Sequence, residues 1–197
     1  MVQIPIQPLT LADFLQQPET KPASEFINGQ MIQKPMPQGE HSILQGELLK
    51  VINAVAQPAQ VAYAFPELRC VYPSGSHPAD VYGGATVVPN VAVFRWSRIP
   101  RQPSGRVANR FDLHPDWAIE ILSPEQSQTL VLAKLLHSAE HGTELGWLVD
   151  PATESILVVF PESRVKLYQG PEPLPVRPEV ALALAAADVF AWLTLPA

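Results

Sequence analysis

Two apolar runs, VVPNVAVF over residues 87–94 and DWAIEIL over 116–122, constrain this chain more than any other feature. They are nearly continuous rather than alternating, the pattern of strands covered on both faces, so they belong in the middle of a sheet with further layers against it. Each nevertheless holds a polar side chain. In DWAIEIL the period of two places Trp117, Ile119 and Ile121 on one face and Ala118, Glu120 and Leu122 on the other. An unpaired carboxylate among such neighbours costs several kcal/mol. Glu120 therefore calls for a cation, a metal or a shifted pKa, unless the strand reaches water just before Ser123-Pro124. Asn90 opens the other strand, where an Asn after Pro is also ordinary turn chemistry.

The remaining pattern completes a mixed α/β chain with a central sheet and helices against it. Thr10 suits the N-cap of a short helix over LADFL, and SEFINGQMIQ reads as a hairpin turning at Asn28-Gly29. Leu44, Leu48, Ile52 and Val55 recur every three to four residues, the apolar stripe of a helix from Glu40 to about Ala56, with His41 near its start. VAYAF and LRCVY read as strands, and a helix begins at Ser123 or Ser127 and stops at Gly142. LGWLVD, SILVVF and RVKLYQG follow as three short strands, and ADVFAWL as a last short helix. With 197 residues, 47% of them hydrophobic, the chain is sized for one domain over 1–197.

Cys70 is the only cysteine, which rules out an intramolecular disulfide and a multi-cysteine zinc site and points to a reducing cytoplasm. No stretch approaches the ~20 apolar residues that span a bilayer, so no membrane role is expected. The formal net charge of -6 argues against a nucleic-acid coating protein. The charge is uneven, however: between Val81 and Phe111 there is no Asp or Glu, and Arg95, Arg98, Arg101, Arg106 and Arg110 fall there, five of the eight arginines. This segment, which also carries Trp96, is either a solvated loop or a basic arm that meets phosphates and stacks on a base.

A Pro-Asn strand, an arginine-rich connection, EILSP leading into a helix with Lys134, and then GWLVDP resemble the PD-(D/E)XK restriction-endonuclease-like superfamily, in particular the bacterial Uma-two family. The resemblance runs from SEFINGQM to VKLYQG and implies a restriction-endonuclease-like mixed sheet flanked by helices. It implies Mg²⁺- or Mn²⁺-dependent hydrolysis of DNA phosphodiester bonds, with two acidic ligands and a lysine that stabilises the scissile phosphate. By this resemblance Asn90 stands at the first metal ligand, normally an Asp, Glu120 is the second, Lys134 is the lysine and His41 an accessory. Glu25 is a weaker match, because Asn28 replaces the Asp of that motif.

Other positions also depart from the family pattern. Leu130, Ser138 and Gly146 stand where an Asp and two tyrosines are expected, and Leu122 takes the superfamily's own lysine position. Asp116 could not replace Asn90, since four residues along one strand separate it from Glu120 by about 13 Å. Asp80, in the preceding loop, remains a possible substitute. Three readings stay open: a metal-dependent endonuclease weakened at position 90, a catalytically silent module that binds nucleic acid or protein on the same fold, and a homodimer joined by a sheet edge or by the tail near Phe190 and Trp192.

Overall fold

The computed structural model describes residues 9–73, 84–124 and 126–195. Asp80 lies outside the described residues.

The chain opens with helix α1 (Leu11–Leu15), where the Thr10 hydroxyl accepts from the Asp13 N–H and the Asp13 carboxylate accepts from the Thr10 N–H. This reciprocal cap lets a helix of barely more than one turn persist. Strands β1 (Ser24–Ile27) and β2 (Gln30–Gln33) form the expected hairpin. Asn28 and Gly29 both turn through positive φ, 51° and 75°, the geometry that favours an Asn-Gly pair in a two-residue hairpin loop. Helix α2 (Gly39–Ala56) follows, then β3 (Ala62–Pro66) and β4 (Cys70–Pro73).

One expectation about the next strands is corrected. Residues 87–94 do not form one strand: β5 (Gly84–Val87) ends before Val88 and β6 (Val91–Arg95) begins after Asn90. Pro89 lacks the N–H a ladder needs, so the chain breaks there and turns from one sheet into another. There are accordingly two sheets, not one. The smaller has the order β2-β1-β5-β4. The larger has the order β10-β9-β8-β7-β6-β3, with β7 (Trp117–Ile121), β8 (Leu145–Asp150), β9 (Ser155–Phe160) and β10 (Arg164–Gln169). Only β7 and β8 of that sheet run parallel, and helix α3 (Gln128–Glu140) is the crossover between them.

The large sheet is covered on both faces, as its continuous apolar strands require. Leu44, Leu48 and Ile52 of α2 pack with Trp117, Ile119, Ile121 and Trp147, the two tryptophan rings meeting edge to face at 4.7 Å. Val131 and Leu135 of α3 cover Ala118, Leu148 and Val159 on the opposite face. Helix α4 (Ala186–Ala191) closes the first core, with Phe190 buried in it and Trp192 packed against it. The tail aromatics proposed as an intermolecular contact therefore face the protein's own core. The mixed α/β class with helices flanking a mixed sheet stands. No described helix is long and apolar enough to cross a membrane.

Helix α3 lies close over Gly146 of β8. A Cβ there would sit 3.2 Å from Val159 Cβ and 3.3 Å from Leu135 Cδ2. The tyrosine that the family pattern has at this position does not fit beneath α3 as it lies. Gly146→Val should cost roughly 1–3 kcal/mol through overpacking, whereas Gly39→Ala, which meets nothing within 4 Å, should stay within about 0.5 kcal/mol of native. Urea denaturation of both variants checks the contrast.

Candidate functional site

Glu120, the fourth of five residues in β7, points to the α3 side of the sheet and is only 3% exposed. The partner it demands is Lys134, midway along α3, whose Nζ lies 2.8 Å from Glu120 Oε1. The same ammonium donates to both oxygens of Glu25, at 3.0 Å each. Glu25 comes from β1 of the other sheet, and its Oε1 also accepts from the Val88 N–H at 2.7 Å. One buried lysine thus holds two buried carboxylates from different sheets. Burial pushes the Glu120 carboxyl up, and Lys134 and Lys34 offset part of that rise. For Lys134 burial works against the charge, but Glu120 and Glu25 outweigh it and hold the ammonium protonated well beyond the ordinary lysine range. Glu25, the weak match in the sequence, belongs to the centre as fully as Glu120.

Asn90 occupies the corner between the two sheets, beside this triad. Its Oδ1 accepts from the Ile121 N–H at 2.8 Å, and its Nδ2 donates to Glu67 Oε1 at 2.7 Å. The two partners fix the amide's orientation, since an N–H requires the oxygen and a carboxylate requires the nitrogen. Its carbonyl accepts from Gln45 Nε2 at 2.8 Å, and Gln45 Nε2 also reaches Glu67 Oε1 at 3.1 Å. Lys34 adds a second cation, with Nζ 3.0 Å from Glu67 Oε2 and 2.6 Å from the Val88 carbonyl. Glu67, Lys34 and Gln45 carry no signal in the sequence: Glu67 sits in an unremarkable turn at positive φ, and Lys34 follows the end of the hairpin.

His41, in the first turn of α2, lines the cavity that also holds Asn90, Glu67, Lys34 and Gln45. Burial, and next the Lys34 cation, lower its pKa from the ordinary histidine value, with Glu67 and the Asn90 side chain offsetting part of the shift. The ring is therefore neutral near neutral pH. Cys70 is buried close to the triad, where desolvation and the Glu120 and Glu25 charges push its thiol far up, so it offers no thiolate nucleophile.

These donors do not fit an Mg²⁺ or Mn²⁺ ion as they stand. Such an ion relies on carboxylate oxygens with free lone pairs. Both Glu25 oxygens and Glu120 Oε1 already face the Lys134 ammonium, and the oxygen of Asn90 is taken by Ile121 while its NH₂ faces Glu67. Among the described residues no three His, Cys, Asp or Glu side chains are grouped to hold a metal. Asp116 is no substitute: it is buried just before the start of β7, accepting from the Arg95 N–H at 2.8 Å and from Arg98 Nη1 at 2.6 Å.

The arginine segment divides into two groups. Arg95 pairs with Asp116, Glu144 and Glu179, and Arg98 with Asp116, so these two knit the fold together and present little free charge. This corrects the view of a uniform basic arm. Arg101, Arg106 and Arg110 are exposed, with Arg101 over the Trp96 ring at 5.7 Å and Arg110 bonded to Asp112 at 2.6 Å.

Three cavities run together past the site. One of about 450 Å³ includes Arg69 and Arg110, and joins through Thr20, Ala23 and Glu67 to one of about 310 Å³ that holds Asn90, Lys34 and His41. His41 and Ser123 are shared with a third, of about 450 Å³, at the start of α2. The result is a groove with the Asn90 corner near its middle.

A two-sided mixed sheet with a buried Glu-Lys pair beside a Pro-Asn corner defines a nuclease-like fold. The chain belongs to the family described as "Putative restriction endonuclease", whose model matches residues 11–189. A crystal structure described as a putative nuclease belonging to DUF820 from Anabaena variabilis is similar over 95% of this chain and 100% of that one, with 46% identity and a TM-score of 0.87. No curated protein matches the chain.

Replacing Lys134 by Met would leave Glu25 and Glu120 buried together without their cation, at a cost of about 3–5 kcal/mol. Without the cation the raised carboxyl of Glu120 moves further up, so the folded state binds protons more readily than the unfolded one and loses stability as pH rises. The deficit of Lys134→Met relative to native should therefore be larger at about pH 8 than at about pH 5, as measured by denaturant unfolding at both.

Proposed function

We propose that this chain is a nucleic-acid-binding protein on a restriction-endonuclease-like fold whose phosphodiester-hydrolysing centre is silent in the native sequence. The observation that carries this reading is Asn90. At the position of an acidic metal ligand it supplies no charge, its oxygen is committed to the Ile121 N–H, and it turns a donor toward Glu67. Family membership supports a nucleic-acid ligand. So does the groove, which has Arg69 and Arg110 at one end and Lys34 near its centre. In this reading Glu25, Lys134 and Glu120 hold the two sheets together at the groove, and Arg101, Arg106 and Arg110 meet phosphates beside it. DNA is the ligand this reading favours.

Cleavage of plasmid and single-stranded DNA with Mg²⁺ or Mn²⁺, with binding measured in parallel in chelator, tests the proposal. The native protein should leave both substrates intact and bind DNA equally with metal and with chelator. Its affinity should fall as salt rises, by roughly one power of ten per decade of salt for each phosphate contact, and Arg101→Ala or Arg106→Ala should flatten that slope. Cutting by the native protein that Glu120→Ala abolishes would show a working endonuclease with Asn90 as a tolerated ligand and would overturn silence. Absence of any DNA binding would overturn the nucleic-acid reading.

A further inference from the structure

Two arginines far apart in the chain share the wall of the cavity at one end of the groove. A parallel bridge joins Cys70 to Phe111, with the Val71 N–H donating to the Phe111 carbonyl at 3.0 Å, and it sets Arg69 beside Arg110, one residue earlier on each segment. Segments paired in this way run about 5 Å apart. Cys70 and Phe111 are buried, so by alternation Arg69 and Arg110 turn to the other side, where both line a cavity of about 450 Å³. Like charges placed side by side repel and call for an anion. The carboxylates that meet them, Glu19 at 3.1 Å from Arg69 and Asp112 at 2.6 Å from Arg110, are largely exposed. Such surface pairs contribute little. Arg69 itself is held in place, its guanidinium lying 5.7 Å from the centre of the Phe14 ring.

The rest of the cavity has a different character. Leu15, Leu68 and Val71 give it an apolar side, and Asn109, next to Arg110, brings an exposed amide that both donates and accepts. Its size falls in the range of about 300–1,000 Å³ found for small-molecule sites. An apolar side for a planar ring, an amide for its polar edge and two guanidinium groups for a phosphate are the requirements of one nucleotide. We propose that this cavity is a nucleotide-binding pocket, with the phosphate on Arg69 and Arg110 and the base against Leu15, Leu68 and Val71, its edge read by Asn109. The nucleotide assignment stands on the cavity, whereas its source, a nucleotide turned out of a strand lying in the groove, rests on the proposed function. Two carboxylates border the cavity. Glu67 is engaged by Lys34, Asn90 and Gln45, and Glu19 is the neighbour that an incoming phosphate displaces from Arg69.

Calorimetric titration of the full-length protein with thymidine monophosphate, with thymidine and with inorganic phosphate tests the pocket, and an oligothymidine lacking terminal phosphates then serves as competitor. The monophosphate should bind saturably, thymidine and phosphate should each bind at least roughly 10-fold more weakly, and the oligothymidine should displace the monophosphate. Arg69→Gln and Arg110→Gln should each weaken monophosphate binding roughly 10- to 100-fold, as expected for one lost bond to a charged group. Arg110 is exposed, so its replacement leaves the fold intact. Glu19→Gln should tighten binding, and Lys50→Gln, which removes an exposed cation outside the cavity, should leave it unchanged. Inorganic phosphate binding as tightly as the monophosphate would overturn the nucleotide assignment. Saturable monophosphate binding that the oligothymidine does not displace would keep the pocket and overturn its strand source. No saturable monophosphate binding, or equal affinity in the native, Arg69→Gln and Arg110→Gln proteins, would overturn the pocket, and DNA binding that persists in that case would leave the proposed function standing.

Discussion

One ammonium group organises this molecule. Lys134 crosses from α3 to hold Glu120 of the large sheet and Glu25 of the small one, within 3.0 Å of both. Three charges taken out of water are tolerable only together, because removing any one leaves its partners desolvated and unbalanced. The triad sets how the two sheets meet, and with them the position of Val88, whose N–H is held by Glu25, and of the Pro89-Asn90 corner that follows. In an apolar surrounding such a network specifies an arrangement rather than merely stabilising one.

The corner inherits the consequences. A carboxylate at position 90 would accept from Ile121 and confront Glu67 with a second negative charge, an arrangement that calls for a cation between them. An amide removes that demand by donating to Glu67 at 2.7 Å. Lys34 and Gln45 complete the neutralisation, so the negative charge that would draw a divalent ion is already satisfied from within the protein.

Much of this was legible in the sequence where burial forced a local rule. The continuous apolar strands required layers on both faces, and α2 and α3 supply them. Glu120 required a counter-charge, and Lys134 supplies it. The hairpin at Asn28-Gly29 and the stripe of α2 followed from turn chemistry and from periodicity. What escaped was long-range. The split of residues 87–94 hinges on Pro89, whose missing N–H could equally have been absorbed at the end of one strand. The roles of Lys34 and Glu67 depend on a turn and a hairpin end meeting across the corner, which no spacing encodes. The arginine segment read as basic because its acidic partners, Asp116, Glu144 and Glu179, lie later in the chain.

Restoring an acidic charge at position 90 is expected to let a divalent ion compete with Lys134 for Glu120. Calorimetric titration of Mn²⁺ into the native protein and into Asn90→Asp tests it most directly. Asn90→Asp should take up one ion saturably, and the native protein should show no saturable binding at millimolar Mn²⁺. Saturable binding by the native protein that disappears in Glu120→Ala would contradict the account, because it would mean that Glu120 serves a metal despite Lys134.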